Sequence, residues 1–450
     1  MKKLIYTGGL LLSVCLSHAQ VSPAISSWLQ NNTVTGRYYI QSNFTPQNNN
    51  ILANCQTVQY SAANVYVSTK GVPTYTTGPF LDGNPSQASN QNAIFKFPLA
   101  PVQNTGTATN TTPGNIGVFI NGVALFDYRD GVSWQNSTGS LKGGPLGGTG
   151  DGVWNRDAVP AEKPGFDCAK GHPAMGNYHH HQNPSAYKLD LNVISTICNL
   201  YNADGLYAID STQHSPLIGF AYDGFPIYGA YAYKNTNGTG GIVRMKSSFK
   251  LRNITTRTTY YTSTVAVTPG PAVSTTYPLG YFKEDYEFVS PTASDYLDYH
   301  NGRFCVTPEY PLGTYCYFAT VDANWNSAYP YVVGPTFYGV YANRKVASIT
   351  ETTTTYIPTS ISEHEFKNMN VAVYPNPSSD LVAVQVNGLV KDNLQVELIS
   401  IDGKTISTTT INKGQTLAIF DLQTVYSGIY FVKISNNEFS TSKKIIVSKD

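Results

Sequence analysis

Short runs of β-branched and aromatic residues, each cut off within a few positions by Asn, Gly, Pro or Ser, recur along the chain and constrain its fold more than any other feature. Examples are Arg37-Tyr38-Tyr39-Ile40, Thr57-Val58-Gln59-Tyr60, Asn64-Val65-Tyr66-Val67 and Ile116-Gly117-Val118-Phe119-Ile120. The last of these meets Asn121-Gly122 and resumes as Val123-Ala124-Leu125-Phe126, the pattern of a β-hairpin closed by a tight turn. The 33 Tyr, 38 Gly and 26 Pro residues favour strands and turns over helices. The stretch from Ser185 to Tyr207 is the best helical candidate. No period of 20–50 residues is present, which argues against a solenoid or propeller. The expectation is a mostly-β protein with long loops and a few short helices.

A chain of 450 residues allows roughly two to four domains. Charged residues are 13% of it, against a typical ~25% for soluble domains. The 29 basic and 28 acidic side chains leave a formal charge of +1, so no bulk field draws nucleic acid or an anionic membrane. Hydrophobic residues at 41% suffice for sizeable cores.

The N-terminus reads as a secretory signal peptide over residues 1–19. Lys2 and Lys3 supply the positive start, Leu4 to Leu16 a short apolar stretch, and Ser17-His18-Ala19 the small residues before cleavage after Ala19 or Gln20. That stretch is shorter than the ~20 apolar residues of a membrane-spanning helix, and no later segment reaches that length. An exported chain, soluble or displayed on a surface, is expected.

The C-terminal segment, residues 369–450, changes character. Val371-Ala372-Val373-Tyr374-Pro375-Asn376-Pro377 opens it, and Leu381 to Val386 alternates. Val396 to Ile401 then runs into Asp402-Gly403-Lys404. Leu417 to Leu422, Gly428 to Ile434 and Lys443 to Val447 follow. Short strands at regular spacing predict a small Ig-like β-sandwich. Four of these in order, Tyr374-Pro375-Asn376-Pro377, Asp402-Gly403-Lys404, Gly428 to Ile434 and Lys443 to Val447, closely resemble the C-terminal sorting domain of the type IX secretion system of Bacteroidota. The resemblance implies handling by that machinery, passage across the outer membrane, and release or anchoring to surface polysaccharide. A Thr-rich stretch, residues 346–368, lacks hydrophobic periodicity and is expected to be a linker, leaving residues 21–345 as the body.

Cys15 belongs to the leader, so Cys55, Cys168, Cys198, Cys305 and Cys316 remain, and an oxidising destination permits disulfides. Arg303 to Thr307 and Thr314 to Val321 read as two strands. If Thr307 faces Thr314, Cys305 falls opposite Cys316, at the ~4.5–5.5 Å Cα spacing that a disulfide accepts. That bridge is predicted. The other three leave an odd thiol or a thiolate open to metal.

Of eight histidines, His18 lies in the leader, and four of the remaining seven fall within ten residues: His172, His179, His180 and His181. On an extended backbone His179 and His181 point to one face and His180 to the other. Two imidazoles so spaced can share one ion, with His172 arriving from the preceding loop. Neutral imidazole suits zinc, copper or iron, with a carboxylate or water completing the shell. Asp167 and Cys168 lie just upstream as a further ligand or as an acceptor fixing an imidazole tautomer. The competing reading is a hydrogen-bonded polar core of Tyr and His.

Taken together, Asp167-Cys168, Gly171-His172-Pro173, Tyr178-His179-His180-His181, His214-Ser215-Pro216-Leu217-Ile218-Gly219 and Asp223-Gly224-Phe225-Pro226-Ile227-Tyr228-Gly229 resemble the YHYH-domain family of bacterial exported proteins. Asn301-Gly302-Arg303-Phe304, Thr307-Pro308-Glu309-Tyr310-Pro311 and Tyr329-Pro330-Tyr331-Val332-Val333-Gly334-Pro335 extend the resemblance, which runs from about Tyr60 to Tyr341. One departure is visible: the naming motif is Tyr-His-Tyr-His, and here His180 stands in place of the second Tyr. The resemblance implies a fold unit more than an activity.

No Gly-x-Ser-x-Gly elbow, Walker loop or His-Glu-x-x-His motif occurs. The leading reading is a secreted or surface-displayed protein with one divalent transition-metal site, zinc or copper. Its expected ligands are His172, His179, His181 and then His214, supported from behind by His180, Tyr178 and Asp223. A reading from another class is a non-enzymatic module binding glycan or protein, its histidines serving only the core.

Overall fold

The computed structural model describes residues 21–82, 86–184, 196–201, 205–260, 265–358, 370–387, 390, 392–436 and 440–449. The expected leader lies outside these residues, as does most of the helical candidate Ser185–Tyr207, within which Thr196–Asn199 forms a single 3-10 turn. The chain divides into two compact units, Met1–Tyr356 and Ile357–Asp450. Both are built mostly of strands, as the sequence leads one to expect.

Two sheets organise the first unit. Cys55–Tyr60 (β1), Asn64–Thr69 (β2) and Ala93–Pro98 (β3) form the middle of a five-stranded sheet. Asn115–Phe119 (β4) and Ala124–Phe126 (β5) are the hairpin foreseen at Asn121-Gly122, with Val118 opposite Ala124. They join an eight-stranded sheet with His172–Ala174 (β6), Asn177–His180 (β7), Leu217–Ala221 (β8), Pro226–Tyr228 (β9), Gly302–Cys305 (β10) and Thr314–Phe318 (β11). Its spatial order is β6-β7-β5-β4-β8-β9-β11-β10.

All five positions of β8 are buried, as befits a central strand covered on both faces. In β3 burial alternates, with Ala93, Phe95 and Phe97 turned inward. The two sheets share one apolar core, where the Trp28 ring meets Phe97 and Phe220 at centroid distances of 5.6 and 5.2 Å.

The Thr-rich stretch is sheet rather than linker at its start. Lys345–Val346 (β12) pairs with β3, and Thr354–Tyr356 (β13) pairs antiparallel with β1, Thr354 opposite Tyr60 and Tyr356 opposite Val58. Between them Glu351 accepts hydrogen bonds from Asn64 Nδ2 at 2.8 Å and the Tyr66 hydroxyl at 2.5 Å. The body therefore runs on through Tyr356 instead of ending at residue 345. An edge strand is held by its backbone bonds, so its largely exposed side chains carry no apolar alternation to read.

The predicted Cys305–Cys316 bridge is also corrected. Both thiols are free and buried, and the disulfide joins Cys168 to Cys198. Thr307 does not face Thr314. Its N–H and hydroxyl are drawn into a turn with Tyr310, so the ladder closes two residues earlier, with Cys305 opposite Thr314 and Arg303 opposite Cys316. The two cysteines become diagonal neighbours, and their thiols meet through a hydrogen bond, not a covalent bond.

The second unit has a three-stranded sheet of Asn370–Tyr374, Leu381–Asn387 and Leu417–Asp421. A four-stranded sheet is ordered Thr405–Ile411, Leu394–Ser400, Gly428–Ser435, Ser440–Val447. Val382, Val384 and Val386 from the first and Val396, Leu398, Val432 and Ile434 from the second contribute to one core. Every second residue faces inward, the period that the alternating sequence encodes.

Candidate metal centre

The β6–β7 hairpin sets His172 directly opposite His179, which puts both rings on one face of the sheet edge. His181, two positions beyond His179, returns to the same face. The reversal between the strands uses Met175 at φ +50° and Gly176 at φ +85°. A Cβ on Gly176 would lie 2.0 Å from Ser89 Oγ, so only glycine permits this approach.

The three residues are buried, and their metal-binding atoms all lie within 4.8 Å of one another. His179 Nε2 and His181 Nε2 are 3.1 Å apart. The other nitrogen of each ring is already engaged: His179 Nδ1 lies 2.8 Å from the Asn177 carbonyl and His181 Nδ1 lies 2.5 Å from the Asp127 carbonyl. A ring nitrogen against a carbonyl carries the proton. In the neutral rings both Nε2 atoms therefore direct lone pairs at each other. Apolar walls hold the imidazoles, with Phe126 stacked on His179 at 3.7 Å and the edge of Phe166 against His172 at 5.0 Å.

A carboxylate that sequence reasoning missed also points here. Glu162 ends a short helix, Ala158–Glu162, capped by the Asp157 side chain, which accepts from Val159 N. Glu162 Oε2 lies 3.2 Å from His172 Nε2 and 3.1 Å from His181 Nε2. Neither contact has hydrogen-bond geometry, and Glu162 Oε2 and both ring nitrogens of His172 make no hydrogen bond among the described residues. No motif spacing ties Val159-Pro160-Ala161-Glu162 to His172, so only the fold brings this carboxylate in.

The electrostatics follow from crowding in a dry place. Burial acts to raise the Glu162 carboxyl, but His172 and His181 outweigh it and hold it well below the usual range. His179 is pushed well below an ordinary imidazole by burial and then by His172 and His181. For His181 burial works downward, yet Glu162 reverses the balance and its affinity for a proton rises. The arrangement favours a positive charge at His181 beside Glu162 and disfavours one on His179.

The remaining expected site residues lie elsewhere. Tyr178 and His180 occupy the opposite face of β7 and do not back the three histidines. The Tyr178 hydroxyl donates to Asp167 Oδ2 at 2.9 Å, and that carboxylate also accepts from the backbone of Gly78, Ala169 and Gly171. Burial raises Asp167 to about 7 despite these donors. Tyr178 thus anchors the loop leading into His172, a loop that the Cys168–Cys198 disulfide also ties down. Neither Asp167 nor Cys168 joins the histidine cluster.

His180, where the family motif has its second tyrosine, meets the Tyr75 hydroxyl through Nε2 at 2.8 Å, and burial lowers it to about 3. It stays neutral, and the substitution leaves the histidine face untouched. His214 precedes β8, which β5 and β4 separate from β7. Its Nδ1 lies 2.8 Å from the Ser215 carbonyl and its ring contacts Tyr228 and Tyr233. Asp223 caps its own β8–β9 turn at Phe225 N and accepts from the Tyr317 hydroxyl at 2.5 Å and Gly339 N at 2.8 Å. Both are tied into other parts of the core and do not reach the cluster.

Residues 94–330, more than half of the chain, match the model of the family described as YHYH protein. The chain belongs to the YHYH family. His172, His179, His181 and Glu162 all fall within the matched segment. Residues 372–448 match the secretion system C-terminal sorting domain, the type IX tail. A YHYH protein with this tail is secreted or held at the outer-membrane surface, and the type IX machinery handles it. No helix among the described residues is long and apolar enough to cross a membrane. No curated protein matches the chain.

Proposed function

We propose that this exported YHYH protein binds one divalent transition-metal ion, zinc or copper, through His172, His179 and His181. The observation that carries the reading is the 3.1 Å approach of His179 Nε2 to His181 Nε2 with both Nδ1 atoms committed to carbonyls. Two facing lone pairs at that distance repel, and a cation shared between them turns repulsion into coordination.

A proton on His181 Nε2 is the competing cation, and the raised proton affinity of His181 beside Glu162 favours it specifically. On that reading the cluster is a polar core in a non-enzymatic glycan- or protein-binding module. A single proton on His181 Nε2 bridges to His179 Nε2 but leaves Glu162 Oε2 and both nitrogens of buried His172 without a hydrogen bond. One metal ion engages one nitrogen of each of the three rings, that of His172 included, and so accounts for more of the observed atoms. Metal analysis of the purified mature chain decides between them. Stoichiometric zinc or copper that is lost in His179→Ala and His181→Ala supports the metal, whereas a metal-free wild type that folds normally supports the proton.

A further inference from the structure

We propose that Glu162 is the fourth ligand of this ion and that the shell it completes is closed, making the centre a structural clamp. The inference rests on the three-histidine reading above and adds to it a ligand, a coordination number and a role.

Distances give the first argument. An ion bound by nitrogen and oxygen at ~2.0–2.1 Å in a tetrahedral shell holds neighbouring ligand atoms ~3.3–3.4 Å apart. Three contacts approach that edge length: 3.1 Å from His179 to His181, 3.1 Å from His181 to Glu162, and 3.2 Å from Glu162 to His172. They link the four side chains in one open path, from His179 through His181 and Glu162 to His172. The atoms that lie within 4.8 Å of one another are those of the three histidines alone, so completing the shell with Glu162 requires a small inward movement of its side chain.

Unmet bonding gives the second. Glu162 Oε2 is buried without a hydrogen bond, and so are both nitrogens of His172, a residue 6% exposed. Leaving such groups unsatisfied costs about 1–3 kcal/mol each. Two groups that approach to 3.2 Å without hydrogen-bond geometry are placed as ligands of one ion are, aimed past each other at a third atom.

Topology supplies the role. The ligands come from the end of the Ala158–Glu162 helix, from β6, from β7 and from the residue just beyond it. One ion would therefore pin that helix to the hairpin at the edge of the eight-stranded sheet, where no further strand among the described residues covers β6. Four protein ligands fill a tetrahedral shell and leave no position for water or substrate, the mark of structural zinc sites. The Cys168–Cys198 disulfide ties the same region covalently, so an exported chain gains two cross-links around one loop.

The test uses the full mature chain, stripped with a chelator and reloaded with Co²⁺ as a spectroscopic probe for zinc. The wild type is expected to show the intense visible bands of a four-coordinate ion, unmoved by added azide. Loss of outer partners alone typically costs 10–100-fold in affinity, so Glu162→Gln, which removes a direct ligand, is expected to weaken binding by about 100-fold or more. Any Co²⁺ it retains is expected to respond to azide through the vacated position. Should Glu162→Gln fail to fold, Glu162→Asp keeps the charge on a shorter arm and is expected to shift the bands and lower affinity.

Wild-type affinity and spectrum in the Glu162 variants, with binding abolished in His179→Ala, would overturn the fourth ligand and leave the three-histidine site standing. Azide-sensitive bands in the wild type would overturn the closed shell. No stoichiometric metal in the wild type would remove the three-histidine reading and this inference together.

Discussion

The Tyr331 hydroxyl donates a 2.6 Å hydrogen bond to Asp157 Oδ2, joining residues 174 positions apart. Asp157 in turn caps the helix that ends at Glu162. A bond far from the histidines in sequence thus fixes the element that delivers their carboxylate. Tyr331→Phe keeps the ring and deprives a buried carboxyl oxygen of its donor, an expected loss of about 1–3 kcal/mol. Urea unfolding measures it. Unchanged stability together with unchanged metal affinity would show that the tyrosine does not support the helix.

The same carboxyl makes stability depend on pH in a defined direction. Burial raises Asp157 to about 8 in the folded chain, outweighing the Tyr331 and Val159 donors, whereas an unfolded Asp titrates near ~3.9. Between these values the folded state holds a proton that the unfolded state has released. The contribution of Asp157 is therefore full below about pH 4 and is lost as pH rises toward 8. Unfolding free energy measured across that interval is expected to decline less steeply in Asp157→Asn than in the wild type. Parallel profiles would mean that Asp157 is ionised in the fold.

Thiol counting checks the cysteine pairing. Unreduced protein prepared without residues 1–19, and so without Cys15, is expected on denaturation in guanidinium to expose three thiols, from Cys55, Cys305 and Cys316. A Cys305–Cys316 bridge beside Cys168–Cys198 would leave only one. The bridge closes a loop with a sequence separation of 30, for which chain entropy gives about 3–4 kcal/mol of stabilisation. The double variant Cys168→Ala/Cys198→Ala is expected to lose about that much.

What was legible in the sequence is what short-range geometry decides. His179 and His181 share a face because strand side chains alternate, and the Asn121-Gly122 hairpin follows from local turn chemistry. The convergence of His172 was foreseeable from its nearness along the chain. Glu162 was not, because it sits on a five-residue helix placed by distant Tyr331. His214 and Asp223 looked eligible because their residue types suit a metal, but strand order carries them elsewhere. The cysteine register failed by two residues because Thr307 prefers bonds with Tyr310 and with the Tyr228 hydroxyl, 2.8 Å from its Oγ1.

The two faces of β7 give separable phenotypes. His181→Ala is expected to abolish stoichiometric metal, since it removes the ring whose Nε2 lies 3.1 Å from both His179 Nε2 and Glu162 Oε2. Tyr178→Phe removes a donor to buried Asp167 on the other face and is expected to cost about 1–3 kcal/mol of stability with metal content retained. His214→Ala is expected to leave metal content at the wild-type level. Metal loss in Tyr178→Phe or His214→Ala, in protein that is otherwise folded, would mean that the ligand sphere reaches further than the described geometry.

The pairing of Thr354–Tyr356 with β1 is open to a direct challenge. Successive residues of an antiparallel edge strand direct their N–H groups alternately toward and away from the neighbour. Of Thr354→Pro and Thr355→Pro, one therefore removes a ladder bond while the other removes an N–H facing outward. The two variants are expected to differ, one lowering the unfolding temperature of the first unit and opening the segment between Val346 and Tyr356 to limited proteolysis, the other behaving nearly as the wild type. A free linker predicts no difference, with rapid cleavage in the wild type and in both variants.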